Sequence, residues 1–180
     1  MSLLKRALLA GVSGVSAWLA YYVLEWLSEI WEPFDSAFAT YIPIGAAFGA
    51  AVLVPLLPVW RQRVGAVAAL VLGSMVIYGL VVELAFDQYG PLNLEYETAM
   101  VVSGFLGALL TGVLVKVAVP LRVSGRYWAA VAAAGLVGGV VFSWAWSMNG
   151  EATIVVGYVT WQVLVCLALA SGPSSAKAAP

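Results

Sequence analysis

Two pairs of carboxylates are the residues of this sequence best suited to chemistry. Glu25 and Glu29 are four residues apart, and Glu83 and Asp87 repeat the same spacing. Residues four apart lie on one face of a helix, so each pair would present its carboxylates together. Carboxylate oxygens are the ligands that Ca²⁺, Mg²⁺ and Mn²⁺ prefer. The pairs therefore predict a divalent cation site, with Glu25 and Glu83 as its metal ligands.

The same carboxylates also have a simpler explanation. Each pair follows a long apolar run, and acidic residues just beyond the end of a membrane helix are commonly solvated charges. A carboxylate in the last turn of a helix, however, faces the negative end of the helix dipole, which is mildly unfavourable. The sequence leaves both interpretations open.

The acidic pairs belong to a longer internal repeat. Both copies fit Glu-x-x-x-acid-x-aromatic-x-Pro, and the second copy follows the first at an offset of 58 residues. The same offset aligns Ser16 with Ser74 and Thr40 with Thr98 without a gap. The repetition predicts that the two pairs occupy equivalent positions in two copies of one structural unit.

Aromatic and amide side chains predict a second kind of ligand contact. Trp18 and Tyr22 precede Glu25 at intervals of four and three residues, and aromatic faces near carboxylates can bind an organic cation. The alternative is the belt of Trp and Tyr found at membrane interfaces. Trp161 and Gln162 lie near the middle of an apolar run, where such a belt does not reach. They predict a polar contact inside the bundle, and all four residues are candidates for ligand binding.

Long apolar runs must position these side chains. The chain of 180 residues is 63% hydrophobic and 9% charged, whereas roughly 25% of residues in soluble domains are charged. Uncharged runs cover residues 7–24, 36–60, 64–82, 98–115, 127–150 and 152–176. Each is near or above the roughly 18–20 residues that cross a bilayer as a helix. Without polar alternation a membrane barrel is excluded, so the predicted fold class is all-α with six transmembrane helices.

The repeat groups these helices into three parallel hairpins, related by an axis along the membrane normal. The helices of the second and third hairpins include predicted spans at 64–86 and 127–148. One transmembrane domain, residues 1–170, would contain the hairpins, at about 7–60, 64–120 and 127–170. Residues 171–180 are predicted to form a disordered cytoplasmic tail.

Charge predicts the orientation of the bundle. All eight basic residues lie at one set of helix ends, and all nine acidic residues lie at the other. The positive-inside rule places the basic ends, and with them both termini, in the cytoplasm. We therefore expect a multi-pass protein of the cytoplasmic membrane, surrounded by the lipid bilayer, with its acidic pairs on the outer face.

Several function classes lack support. The sequence has no histidine and a single cysteine, and it contains no Gly-x-Ser-x-Gly, Walker or CxxC pattern, so we predict no enzyme and no cofactor beyond a divalent cation. Nothing predicts a nucleic-acid partner. The leading hypothesis is a small membrane protein that binds or handles a cation or small solute from the outer face. The alternative is a non-catalytic accessory or scaffold subunit, or a homo-oligomer, that meets other membrane subunits through small-residue faces such as Gly11 and Gly14.

Overall fold

The computed structural model describes residues 2–28, 37–56, 64–86, 94–118, 123–148 and 151–171. In these ranges the chain forms six α-helices and no strand: α1 (Leu3–Ser28), α2 (Ala37–Phe48), α3 (Val64–Phe86), α4 (Tyr96–Ala118), α5 (Gly125–Ser147) and α6 (Glu151–Ser171). A π-helical turn, Gly49–Leu53, and a 3₁₀ turn, Val54–Leu56, extend α2. The prediction of an all-α fold is confirmed.

Five of these helices, all but α2, are long and apolar enough to cross a membrane. Their outward faces carry bare aliphatic side chains, and Val12 and Leu72 are 63% and 59% exposed. Lipid, rather than water, is the environment in which such faces are stable. The protein is therefore a multi-pass helical membrane protein. A sixth span, at 36–60, lies partly outside the described residues and stays a prediction, because Ile42–Leu56 forms a shorter apolar helix.

The local sequence explains why α2 is followed by a 3₁₀ turn and why α5 begins where it does. Pro55 lies in the 3₁₀ turn that follows α2, and a proline lacks the N–H that regular α-helical bonding needs. Ser124 precedes α5, and its hydroxyl accepts a hydrogen bond from the Tyr127 backbone N–H at 3.4 Å. Such a side chain supplies a partner that the first turn of the helix lacks.

The helices form a closed ring. Each helix packs against the next along the chain, and α6 returns to pack against α1. The second helix, α2, contacts both α1 and α3, whereas α4 and α6 also touch each other across the ring. Odd-numbered and even-numbered helices therefore alternate around the bundle. Three helical hairpins packed side by side would have the same arrangement. The 58-residue repeat, the domain limits and the orientation of the termini stay predictions.

Glycine allows the tightest helix contacts. A Cβ added at Gly14 would lie 2.7 Å from Cα of Val159 in α6, and one at Gly104 would lie 2.7 Å from Cα of Gly139 in α5. Another at Gly45 would lie 2.6 Å from the backbone oxygen of Ser74 in α3. These small-residue faces are therefore used for packing within the chain itself.

Candidate functional site

Of the four predicted carboxylate residues, Glu83 is the one whose side chain the structure describes. It is exposed near the end of α3. Glu29 and Asp87 lie outside the described residues, and so does the side chain of Glu25, whose backbone is in α1. Within the described part of the chain, no group of three or more His, Cys, Asp or Glu side chains could hold a metal ion. The cation site with Glu25 and Glu83 as ligands thus stays a prediction.

Trp18 and Tyr22 contact each other on α1. Their ring centroids are 5.4 Å apart with planes at 77°, an edge-to-face geometry. Nearby, Tyr21 meets Trp146 of α5 with centroids 6.2 Å apart. Edge-to-face pairs of this kind are favourable because the positive ring edge meets the negative face. Tyr21 therefore joins α1 to α5, and a ligand-binding role for Trp18 and Tyr22 stays a prediction.

Trp161 and Gln162 make the polar contacts inside the bundle that their position in an apolar run predicts. The indole Nε1 of Trp161 donates to the Gly104 backbone oxygen at 3.1 Å, which joins α6 to α4. The amide Nε2 of Gln162, a fully buried residue, donates to the Tyr78 hydroxyl at 2.9 Å, which joins α6 to α3. Two neighbouring residues of α6 thus connect this helix to α4 and to α3 by hydrogen bonds.

Three aromatic rings meet beside these hydrogen bonds. Phe48, Tyr78 and Trp161 come from α2, α3 and α6, and the three distances between their centroids are 5.8, 5.7 and 5.8 Å. Each such pair contributes roughly 0.5–1.5 kcal/mol beyond the area that it buries. The rings form a rigid aromatic cluster in the interior of the bundle.

A cavity of about 70 Å³ lies against this cluster, between α3, α4, α5 and α6. Tyr78 and Trp161 line it at one end, and Ala85 and Met100 line it towards the acidic ends of the helices. The lining of α3 runs from Ile77 to Ala85, which corresponds to a rise of about 12 Å. The cavity is therefore elongated along α3, and it is partly open.

The cavity is large enough to hold a small molecule. One buried water needs roughly 10–15 Å³, and an engineered apolar cavity of about 150 Å³ holds benzene. Three glycines, Gly104, Gly107 and Gly139, contribute to the lining, and a Cβ at Gly104 or Gly139 would meet the backbone of the facing helix. None of the lining residues carries an ionised side chain, and Ser103 contributes a hydroxyl.

Sequence reasoning missed most of this cavity. It singled out Trp161, which lines the cavity, and Gln162, which bonds the lining residue Tyr78. Ser103 and Met100 were not singled out. One available signal was the cluster of small residues Ser103, Gly104 and Gly107 at helical spacing in α4, which marks a close packing face but not what it faces.

Comparison with protein-family models, curated proteins and solved structures finds no match for this chain. Function is therefore inferred from the cavity and from the residues that surround it.

Proposed function

We propose that this membrane protein binds a small neutral solute inside its helical bundle, in the cavity between α3, α4, α5 and α6. The observation that supports this proposal is the composition of the cavity wall, which consists mainly of aromatic rings, aliphatic side chains and glycine backbone. An ion would lose its hydration there without meeting an opposite charge. A neutral and mostly apolar molecule would instead be stabilised by burial.

The position of the cavity supports access from the acidic side. Its lining extends along α3 to Ala85, two residues beyond Glu83, and along α4 it starts at Met100, close to the acidic residue Glu97. The charge distribution of the sequence predicts that these helix ends face outward. The sequence analysis left two classes of ligand open, a cation and a small solute. The cavity supports the small solute.

The use of glycine supports solute binding over the scaffold hypothesis. A subunit that docks through small-residue faces must present them to a partner. Here Gly14 and Gly104 already approach helices of the same chain too closely for a Cβ. An accessory subunit would have to use other surfaces.

Xenon binding tests the proposal. Xenon is an apolar atom that binds in apolar cavities, and ¹²⁹Xe NMR on the purified protein in detergent reports its binding. Ala85 is buried in the cavity wall, so Ala85→Leu should fill the space and remove the bound-xenon signal. Ala129 is exposed on α5, and Ala129→Leu is a matched control that should leave the signal unchanged. Equal xenon binding by all three proteins would refute the proposal and favour the accessory-subunit hypothesis.

A further inference from the structure

The proposed solute site includes a buried hydroxyl without a partner. Ser103 is 2% exposed and lies in the cavity wall, and its Oγ makes no hydrogen bond to any described residue. Two other buried hydroxyls are paired: Ser74 Oγ donates to the Gly45 oxygen at 2.7 Å, and Thr111 Oγ1 donates to the Gly107 oxygen at 2.7 Å. Ser74 Oγ also donates to the Val71 oxygen at 2.8 Å, so Ser74 and Thr111 both bond back to the preceding turn of their own helix, as hydroxyl side chains inside helices can do. Ser103 therefore retains its hydrogen-bonding capacity at the cavity.

A second unfilled polar group lies behind the cavity wall, next to the lining residue Tyr78. Gln162 Nε2 donates to the hydroxyl of Tyr78, a lining residue, while Gln162 Oε1 is buried with no partner among the described residues. Turning the amide over would pair its oxygen with the Tyr78 hydroxyl and leave its NH₂ group unpaired. In either orientation, the Gln162 amide beside Tyr78 has unused hydrogen-bonding capacity.

Unpaired buried polar groups cost free energy, which a ligand can recover by pairing with them. A site of this kind also discriminates by chemistry, since an analogue that lacks the hydrogen-bonding group leaves the protein's own group unpaired. The rest of the wall favours apolar surface, because rings and aliphatic side chains dominate it. The volume, about 70 Å³, is about half that of a cavity that holds benzene.

We propose that the solute is a small neutral amphiphile, with a short alkyl body and one hydroxyl or carbonyl group that hydrogen-bonds to Ser103 Oγ. This inference rests on the proposed function and adds the chemical class of the ligand. The alkyl body lies among Val81, Val82 and Phe142, and the polar group lies at Ser103 on α4. A hydrocarbon of the same shape fills the same space but leaves the Ser103 hydroxyl unpaired.

Photolabelling with two matched probes tests the ligand class. One probe is diazirinylmethanol, a two-carbon alcohol that carries a diazirine, and the other is the diazirine hydrocarbon in which a methyl group replaces the hydroxyl. Both probes have fewer heavy atoms than benzene, as the cavity volume requires. Mass spectrometry locates the labelled residues, and the concentration dependence of labelling gives the apparent affinity of each probe. Wild-type protein should bind the alcohol more tightly, and Ser103→Ala should weaken the alcohol roughly 3- to 10-fold, the range for one neutral hydrogen bond. The affinity of the hydrocarbon should not change.

Ser13 provides the matched control. Its hydroxyl is also buried without a described partner, but it lies on α1 and is not part of the cavity lining. Ser13→Ala should therefore leave the affinities of both probes at wild-type values. If Ser103→Ala fails to fold, Ser103→Cys replaces the hydroxyl with a weakly bonding thiol of similar shape, and it should shift the affinities in the same direction.

The outcomes separate this inference from the proposed function. Suppose that both probes bind equally, that Ser103→Ala changes neither, and that Ala85→Leu still blocks both. Solute binding would then stand, and the ligand class would be overturned. Suppose instead that no cavity residue is labelled in the wild-type protein, or that Ala85→Leu leaves the labelling unchanged. Both the proposed function and the inference would then be overturned.

Discussion

The contact between α1 and α6 closes the ring of helices, and two glycines on α1 allow it to be tested. A Cβ at Gly14 would lie 2.7 Å from Cα and 2.9 Å from N of Val159. At Gly11, three residues earlier on the same helix, the nearest atom is Cγ2 of Val163 at 4.0 Å. Both glycines face α6, but only Gly14 is in backbone-to-backbone contact. Gly11→Ala and Gly14→Ala are therefore a matched pair.

The expected magnitude follows from what must move. The atoms nearest to a Cβ at Gly14 include the backbone of Val159, which has no rotamer to change, so the two helices must separate. Overpacking of this kind costs about 1–3 kcal/mol. Replacing a glycine inside a helix by alanine also contributes roughly 0.5–1 kcal/mol in favour of folding. This second effect is common to both variants, so Gly14→Ala should be less stable than Gly11→Ala by about 1–3 kcal/mol.

Unfolding by sodium dodecyl sulfate, followed by far-ultraviolet circular dichroism in mixed micelles, measures this difference. Repeating the pair in a Val159→Ala background separates backbone from side-chain contact. Because that change removes the valine γ carbons and leaves its Cα and N in place, most of the difference should persist. Equal stability of the two single variants would contradict the observed packing of α1 on α6. Loss of the difference in the Val159→Ala background would show that a side chain, and not the backbone, limits the approach.

Three further predictions address the polar interior, the acidic residues and the orientation. Tyr78→Phe should cost about 1–3 kcal/mol of unfolding free energy because it leaves the buried Gln162 amide unpaired, and adding Gln162→Leu should recover part of that loss in a double-mutant cycle. If the acidic pairs bind a divalent cation, Ca²⁺ or Mg²⁺ should raise the Tm of the wild type, and Glu83→Gln should reduce that rise more than the control Glu95→Gln does; equal effects would indicate solvated charges. In intact cells, an impermeant maleimide should label Glu95→Cys and not Ser124→Cys above the background of the native buried thiol, and the reverse pattern would overturn the predicted orientation.

The helices could be predicted from the sequence where charged residues flank an apolar run on both sides. The span predicted at 64–86 coincides with α3, Val64–Phe86, because Arg63 and Asp87 flank residues that favour lipid. The second helix was less predictable. Its prolines are visible in the sequence, but continuous α-helical geometry ends at Phe48, seven residues before Pro55. At that point Gly49 packs against Ser74 of α3, a neighbour that a local sequence pattern does not reveal.

The candidate site was predictable only in part, for a similar physical reason. A Trp-Gln pair within an apolar run signals a buried polar contact, because an unpaired amide in a membrane interior is costly. The same logic does not identify Ser103, since a serine in a helix usually bonds to its own backbone. That it does not do so here depends on the packing of four helices. The cavity is likewise a property of that packing, and no single stretch of sequence encodes it.

Closure of the ring by α6 has a consequence for biosynthesis. Residues are added from the N-terminus, so α1 to α5 are synthesised before α6. Until α6 arrives, the Tyr78 hydroxyl lacks Gln162, the Gly104 oxygen lacks the Trp161 indole, and Gly14 faces lipid or the insertion machinery. The cavity between α3, α4, α5 and α6 would thus be complete only after α6 has joined the bundle. A chain that ends before Glu151 should therefore expose the faces of α1 and α5 that α6 covers in the full bundle, and it should be degraded faster in cells than the full chain.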